Sequence, residues 1–355
     1  DLLLDLQIAT NFNATGEVQT TSSGFIIVDN MLYLQLPMGA GQVAWVGVNF
    51  DEMFQGTLEQ LTDSNLPGVV PDNLPLNQKL NLRAVAALNE HPLTKRFFSD
   101  YLRTFGAWWI HKATEKVITI EGLEHVRALS PDSGIVMAAN HRSFFDQYIL
   151  LLAHWMSPIT WAQRLYFPVR ANFFYDHPAG MLVNFAVGAG VMYPPIYRQK
   201  ERRELNDDAL DRAVEFLKRP GTLVGIHPEG KRGKGPDPYA LLPAQPGVGK
   251  IALLANPIII PAFINGLSND VVGDIRRTHA ADARRNHPVI IAMGKPMDLS
   301  DLTSQKPRPT LYKKAADRFM TAIAGLGERE RLLRSQCAAG EISDDDPRWA
   351  ENLKS

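Results

Sequence analysis

The sequence predicts an α/β protein, with a mostly parallel sheet flanked by helices and a small antiparallel β domain ahead of it. Three observations predict this. Short apolar runs alternate with helical patterns over most of the chain. The N-terminal part breaks that alternation and reads as strands separated by tight turns. The charge pattern changes at the same place. Asp1 to Asn77 contains nine acids and no Lys or Arg, so the remainder carries all 37 basic residues against 29 of the 38 acids, a net of +8. Two stretches of opposite character point to two folding units, of which the basic one is expected to meet an anionic partner.

The elements follow in order. Gly24–Val28, Met31–Leu36 and Gln42–Val48 are β-rich runs, punctuated by Asp29-Asn30 and by Pro37-Met38-Gly39-Ala40-Gly41. Pro67, Pro71 and Pro75 with Gly68 mark a linker. The predicted boundaries are therefore a β domain over 1–65, a linker over 66–84, a main domain over 85–340 and a tail over 341–355. Helices are expected near 92–113, 146–156, 206–218, 247–255 and 310–325. Strands are expected at Gly134–Ala139, Ile159–Ala162, Gly221–Ile226, Ile258–Ile264 and Pro288–Met293.

Composition excludes several classes. With 45% hydrophobic and 21% charged residues in 355, the chain is neither disordered nor collagen-like nor a coiled coil. One cysteine, Cys337, leaves no intrachain disulfide and no Cys-rich zinc site, and fits a reducing compartment. No His/Asp/Glu cluster has metal-ligand spacing, so no metal is expected. A net charge of −1 gives no ground for a nucleic-acid partner. The uncharged stretch His177–Tyr197 contains three glycines, three prolines and Asn184, which suits a buried loop and strand better than a membrane span. The chain opens on Asp1 and not on Met, as a fragment of a longer protein would. Phe97, Phe98, Tyr101, Leu102, Phe105, Trp108 and Trp109 lie among Lys95, Arg96, Arg103 and Lys112. Such a stretch either lies in a membrane interface or packs its aromatic face on the domain.

The chemistry concentrates where the strand Gly134–Ala139 ends in Asn140-His141-Arg142-Ser143-Phe144-Phe145-Asp146, ahead of a helix. On a continuous helix two residues five apart diverge by ~140°. At a strand-to-helix turn the backbone can bend so that Asp146 supports the His141 imidazole. A carboxylate there fixes the tautomer and stabilises the imidazolium as it forms, which makes His141 a candidate general base. The alternative for an isolated histidine is a packed structural role.

Asn140-His141-x-Ser143-x-x-Asp146 is similar to the first motif of the PlsC-like glycerolipid acyltransferases, the lysophosphatidic acid acyltransferase family. Three more blocks follow in that family's order: Gly190-Val191-Met192-Tyr193-Pro194-Pro195-Ile196-Tyr197-Arg198, then Gly225-Ile226-His227-Pro228-Glu229-Gly230-Lys231-Arg232-Gly233, then Ile259-Ile260-Pro261-Ala262. The resemblance implies that His141 removes the acceptor hydroxyl proton and that Asp146 orients it, with no acyl-enzyme. It implies a substrate-binding set of Asn140, Ser143, Arg198, Glu229, Gly230, Lys231 and Arg232, the two arginines facing the acceptor phosphate. Guanidinium suits that task because its planar fork donates two parallel hydrogen bonds. His227 and Lys231 depart from the family pattern, standing where Phe and Thr are usual, and they leave the acceptor headgroup open. The resemblance also implies acyl-CoA or acyl carrier protein as donor, a lysophospholipid acceptor, no cofactor, and a peripheral place on anionic lipids at the inner face of the cell membrane. Other lipid acceptors, glycolipid or aminolipid, stay open, as does a regulatory binding protein with an inactive acyltransferase fold.

Three further resemblances are weaker. The N-terminal strands loosely resemble PilZ domains, whose cyclic di-GMP binders use arginines ahead of the first strands; this chain has none there. Gly247-Val248-Gly249-Lys250 resembles a P-loop but lacks its first glycine and its Ser/Thr. Gly39-Ala40-Gly41 fits a dinucleotide fingerprint by spacing yet joins two strands.

Overall fold

A computed structural model describes residues 2–10, 19–28, 31–39, 42–49, 76–102, 114–129, 131–143, 145–155, 161–171, 175, 190–197, 203–268 and 270–353. The chain divides into two compact units, Asp1–Phe105 and Gly106–Ser355.

In the first unit, β1 (Leu2–Thr10), β2 (Gln19–Val28), β3 (Met31–Gly39) and β4 (Gln42–Asn49) form an antiparallel meander in the order β1-β2-β3-β4. The strand β1 adds to the three expected. Helices α1 (Leu76–Glu90) and α2 (Pro92–Tyr101) follow. Helix α1 corrects the expected linker, whose residues from Leu76 on are helical. Ala84, Ala86, Ala87 and Leu88 are strong helix formers, and Leu82, Val85 and Ala87 are buried. Residues 66–75 lie outside the described residues, as do Phe105, Trp108 and Trp109 of the aromatic stretch. On α2 the buried side chains are Thr94, Lys95 and Ser99, whereas Phe97 and Phe98 are half-buried and meet edge to face at 5.3 Å.

The second unit runs β5 (Ile118–Glu121), α3 (Glu124–Arg127), β6 (Ile135–Ala139), α4 (Asp146–Trp155), β7 (Arg164–Tyr166), β8 (Val169–Arg170), β9 (Pro195–Ile196) and α5 (Arg203–Leu217). It continues with β10 (Thr222–Ile226), α6 (Pro246–Ala255), β11 (Ile258–Asn265), α7 (Val271–Thr278), α8 (Ala283–Asn286), β12 (Val289–Met293), α9 (Ser300–Thr303) and α10 (Pro309–Ala339). Six strands form one sheet in the order β5-β12-β11-β6-β10-β7, parallel throughout except between β11 and β12. Every residue of β6, β10 and β12 is buried, as a sheet covered on both faces requires. The mostly parallel, helix-flanked sheet is the one predicted. No helix among the described residues is long and apolar enough to cross a membrane.

Three local expectations change. Of the strand expected at Ile159–Ala162, residues 159–160 lie outside the described residues, and the edge strand β7 begins at Arg164. Helix α10 continues past 325 to Ala339. Gly325 and Gly327 weaken helix propensity, but packing on β11 overrides it, and Gly340 ends the helix at φ +74°. Residues expected to form a tail instead close the sheet: Ile342 and Trp349 are buried with Ile290, Leu333 and Cys337, and Trp349 bridges to Thr119 on β5.

The P-loop-like glycines have a packing purpose. A Cβ on Gly249 would fall 1.9 Å from the Tyr312 carbonyl oxygen, so α6 approaches α10 backbone to side-chain-free backbone. Lys250 pairs with Asp211 at 2.8 Å and Asp207 at 3.6 Å. Gly249→Ala should therefore destabilise the protein by about 1–3 kcal/mol, because the two helices must part. Gly247→Ala should be milder, since its Cβ would meet only the Leu210 side chain at 3.2 Å. Urea midpoints measure both, and an unchanged midpoint for Gly249→Ala contradicts the close approach.

Candidate active site

Strands β11, β6 and β10 are adjacent and parallel, so their C-terminal ends open along one edge, where open α/β sheets bind ligands. Asn140 and His141 follow β6; His227, Pro228 and Glu229 follow β10; Leu267 and Ser268 follow β11.

Asp146 opens α4 and is buried. Its Oδ2 accepts the backbone N–H groups of Arg142 at 2.6 Å and Ser143 at 2.7 Å, and stands 3.2 Å from His141 Nδ1. These bonds close the turn that brings two residues five apart onto one another. Burial pushes the Asp146 carboxyl up to about 6, opposed by its electrostatic interaction with His227 and by the two backbone donors. Burial, and then the charge of Arg232, pushes the His141 imidazole down to about 3. At neutral pH the carboxylate is thus ionised and the ring uncharged. Nδ1 carries the hydrogen and donates it to Asp146, which leaves the Nε2 lone pair to accept a proton.

The His141 ring stacks on His227, with centroids 4.0 Å apart and planes within 4°. His227 Nδ1 lies 3.1 Å from the Ala139 carbonyl, so it carries the hydrogen of a neutral ring. Burial, and then the repulsion that a protonated His141 would exert, pushes this imidazole down to about 3.

Other residues of the first and third motifs build the frame. Asn140 is fully buried and exchanges hydrogen bonds with the Ile264 backbone, donating at 2.9 Å and accepting at 2.7 Å. Ser143 is likewise buried, and its hydroxyl donates to the Ser268 carbonyl at 2.6 Å. Glu229 accepts the His141 N–H at 2.8 Å on one carboxylate oxygen and the Leu242 N–H at 2.7 Å on the other. Burial raises its pKa, and the two donors oppose the rise. Gly230 turns the chain at φ +64°.

A cavity of about 470 Å³ opens beside this frame, lined by Arg142, Arg232, Gly233, Lys234, Leu267 and Ser268. Its floor is tied to the histidine, because Gly233 N–H donates to the His141 carbonyl at 2.8 Å. Three cationic side chains and no carboxylate among the described lining residues suit an anion. Arg142 and Lys234 were not expected here. Arg142 had a signal, as a cation inside the first motif; Lys234 had none. Lys231 is exposed and does not line the cavity, and Arg198 lies outside the described residues. The structure thus brings together His141, Asp146, Asn140, Ser143, Glu229, Gly230 and Arg232.

Removing Glu229 should loosen the whole arrangement. Glu229→Ala leaves two half-buried N–H groups unpaired, at up to about 1 kcal/mol each, and Glu229→Gln leaves one. The urea midpoint should fall in the order wild type, Gln, Ala. Equal midpoints would show that the carboxylate does not clamp the two segments.

No curated protein matches the chain. The family model described as Acyltransferase matches residues 117–265, a span from the start of β5 to the end of β11 that includes His141, Asp146, His227, Glu229 and Arg232. Residues 117–265 of the second unit are therefore similar to the acyltransferase family.

Proposed function

We propose that the protein is an O-acyltransferase that moves a fatty acyl group from acyl-CoA or acyl carrier protein to the hydroxyl of a lysophospholipid, most simply 1-acylglycerol-3-phosphate. One observation carries the reading. An uncharged histidine, committed through Nδ1 to a buried carboxylate, stands beside a cavity lined by three cations. His141 Nε2 takes the hydroxyl proton as the oxygen attacks the thioester carbonyl. The tetrahedral intermediate collapses, the C–S bond breaks, and the leaving thiolate takes that proton from the imidazolium. Asp146 stabilises the imidazolium in between. Arg142, Arg232 and Lys234 hold the acceptor phosphate, with Arg198 as a further candidate. Asn140, Ser143, Glu229 and Gly230 support the site, while Lys231 flanks it. No cofactor or metal enters this chemistry.

The lipid acceptor places the enzyme on a membrane surface, as a peripheral protein of the cytoplasmic face. The net +8 of the chain beyond Asn77 supports attraction to anionic lipids, and the half-buried Phe97 and Phe98 are available to an interface.

An acyl-transfer assay over a panel of lysophospholipids, glycolipids and aminolipids, with both donors, tests the reading. His141→Ala should lower kcat by roughly 10²–10⁴-fold, the effect of losing a general base. Arg232→Ala should raise the KM of a phosphate-bearing acceptor far more than that of the donor. Wild-type turnover in folded His141→Ala sinks the mechanism; preference for a phosphate-free acceptor sinks the assigned substrate. Separately, binding to vesicles containing anionic phospholipid should weaken as salt is raised, and salt-independent binding contradicts the electrostatic attachment.

A further inference from the structure

We infer that His227 is a positioning residue for the reaction proposed above, and the inference rests on that reading: its uncharged ring, anchored parallel to His141, fixes the plane of the base and keeps water from its face. Four contacts build the device. The rings stack at 4.0 Å. The Ala139 carbonyl accepts from His227 Nδ1 at 3.1 Å and so sets the orientation of that ring from strand β6. The Phe167 ring meets His227 at 5.4 Å. Gly225, two residues before His227, makes room for Phe167, because a Cβ there would fall 1.9 Å from its ring.

Space filling does not account for an imidazole in this place. His227 Nε2 is buried and has no hydrogen-bond partner among the described residues, so a phenyl ring would fill the same volume without orphaning an acceptor. What imidazole adds is the Nδ1–H bond to Ala139, which a phenyl ring cannot make and without which the stack can tilt. The charged and titratable groups around the pair are Asp146 at the His141 edge, Arg232 acting on both His141 and Asp146, and Glu229, which accepts the His141 backbone N–H and is itself acted on by Arg142. A proton on His227 would repel one on His141, so the positioning ring stays neutral while the base cycles.

Steady-state kinetics of wild type, His227→Ala, His227→Phe and His141→Ala, from about pH 3 to 9, test this. In His227→Ala water reaches the base. The acid limb of kcat/KM set by the His141 ring, as distinct from the one Asp146 sets near 6, should move up from about 3 toward the ordinary imidazole value of 6.5, and kcat should fall about tenfold with little change in either KM. His227→Phe should return the acid limb to its wild-type position but restore only part of kcat. A purely structural role would not move the acid limb. Wild-type kcat in His227→Phe, or a wild-type acid limb in folded His227→Ala, overturns the inference. If the alanine variant does not fold, the phenylalanine variant decides alone. A rise confined to the acceptor KM would make His227 a substrate contact and also overturns it. Activity retained in His141→Ala would overturn the base assignment itself, so the two failures are distinguishable.

Discussion

A buried carboxylate has to be met by donors, and Asp146 meets this demand with two backbone N–H groups and one imidazole on a single oxygen. The same three bonds bend the chain between β6 and α4, choose the tautomer of His141 and leave its other nitrogen bare. Without them a histidine and an aspartate five apart would point away from each other. The rest of the site is arranged around keeping that turn closed and dry. Burial pushes the carboxyl up to about 6, opposed by His227, the two backbone donors and Arg232, so it is ionised at neutral pH.

The third motif reaches this turn from 88 residues away. Glu229 joins the His141 backbone to Leu242, and so fastens the loop that carries Arg232 and Lys234 at two points. The loop has a second anchor on the long helix. Tyr239 donates to Glu330 at 2.6 Å, and Arg334 donates to the other oxygen of the same fully buried carboxylate at 2.8 Å. Two acids, Glu229 and Glu330, thereby hold the cationic wall of the cavity against the sheet, and the cavity's position relative to His141 follows from them. Net charge hides this, since what matters is which charges are buried and paired.

Much of this was legible in the sequence and some was not. Apolar runs bounded by turn residues gave β6, β10, β11 and β12 nearly to the residue, because buried parallel strands are continuous in sequence. The His141–Asp146 pair was legible as a strand-to-helix turn followed by a carboxylate. Long-range bonds left no local trace: nothing around Glu229 names His141 as its partner, and nothing around Ser343–Trp349 announces a strand of contacts to β5. Helix α1 was obscured by the prolines that precede it. The glycines at 247 and 249 misled in the opposite sense, as a phosphate-loop pattern whose cause is helix packing. The stacking of His227 on His141 was invisible, although the residue itself stood out.

The central claim is that Asp146 and burial together hold His141 as a neutral, Nδ1–H base. Nitrogen-15 NMR of the histidine side chains, with His141 assigned by its absence in His141→Gln, measures this directly. The predicted result is a protonated Nδ1 and a bare Nε2 that persist as the pH is lowered through 6.5, with protonation only well below it. A His141 ring that titrates near 6.5 like a free imidazole, or that carries its hydrogen on Nε2, would contradict it.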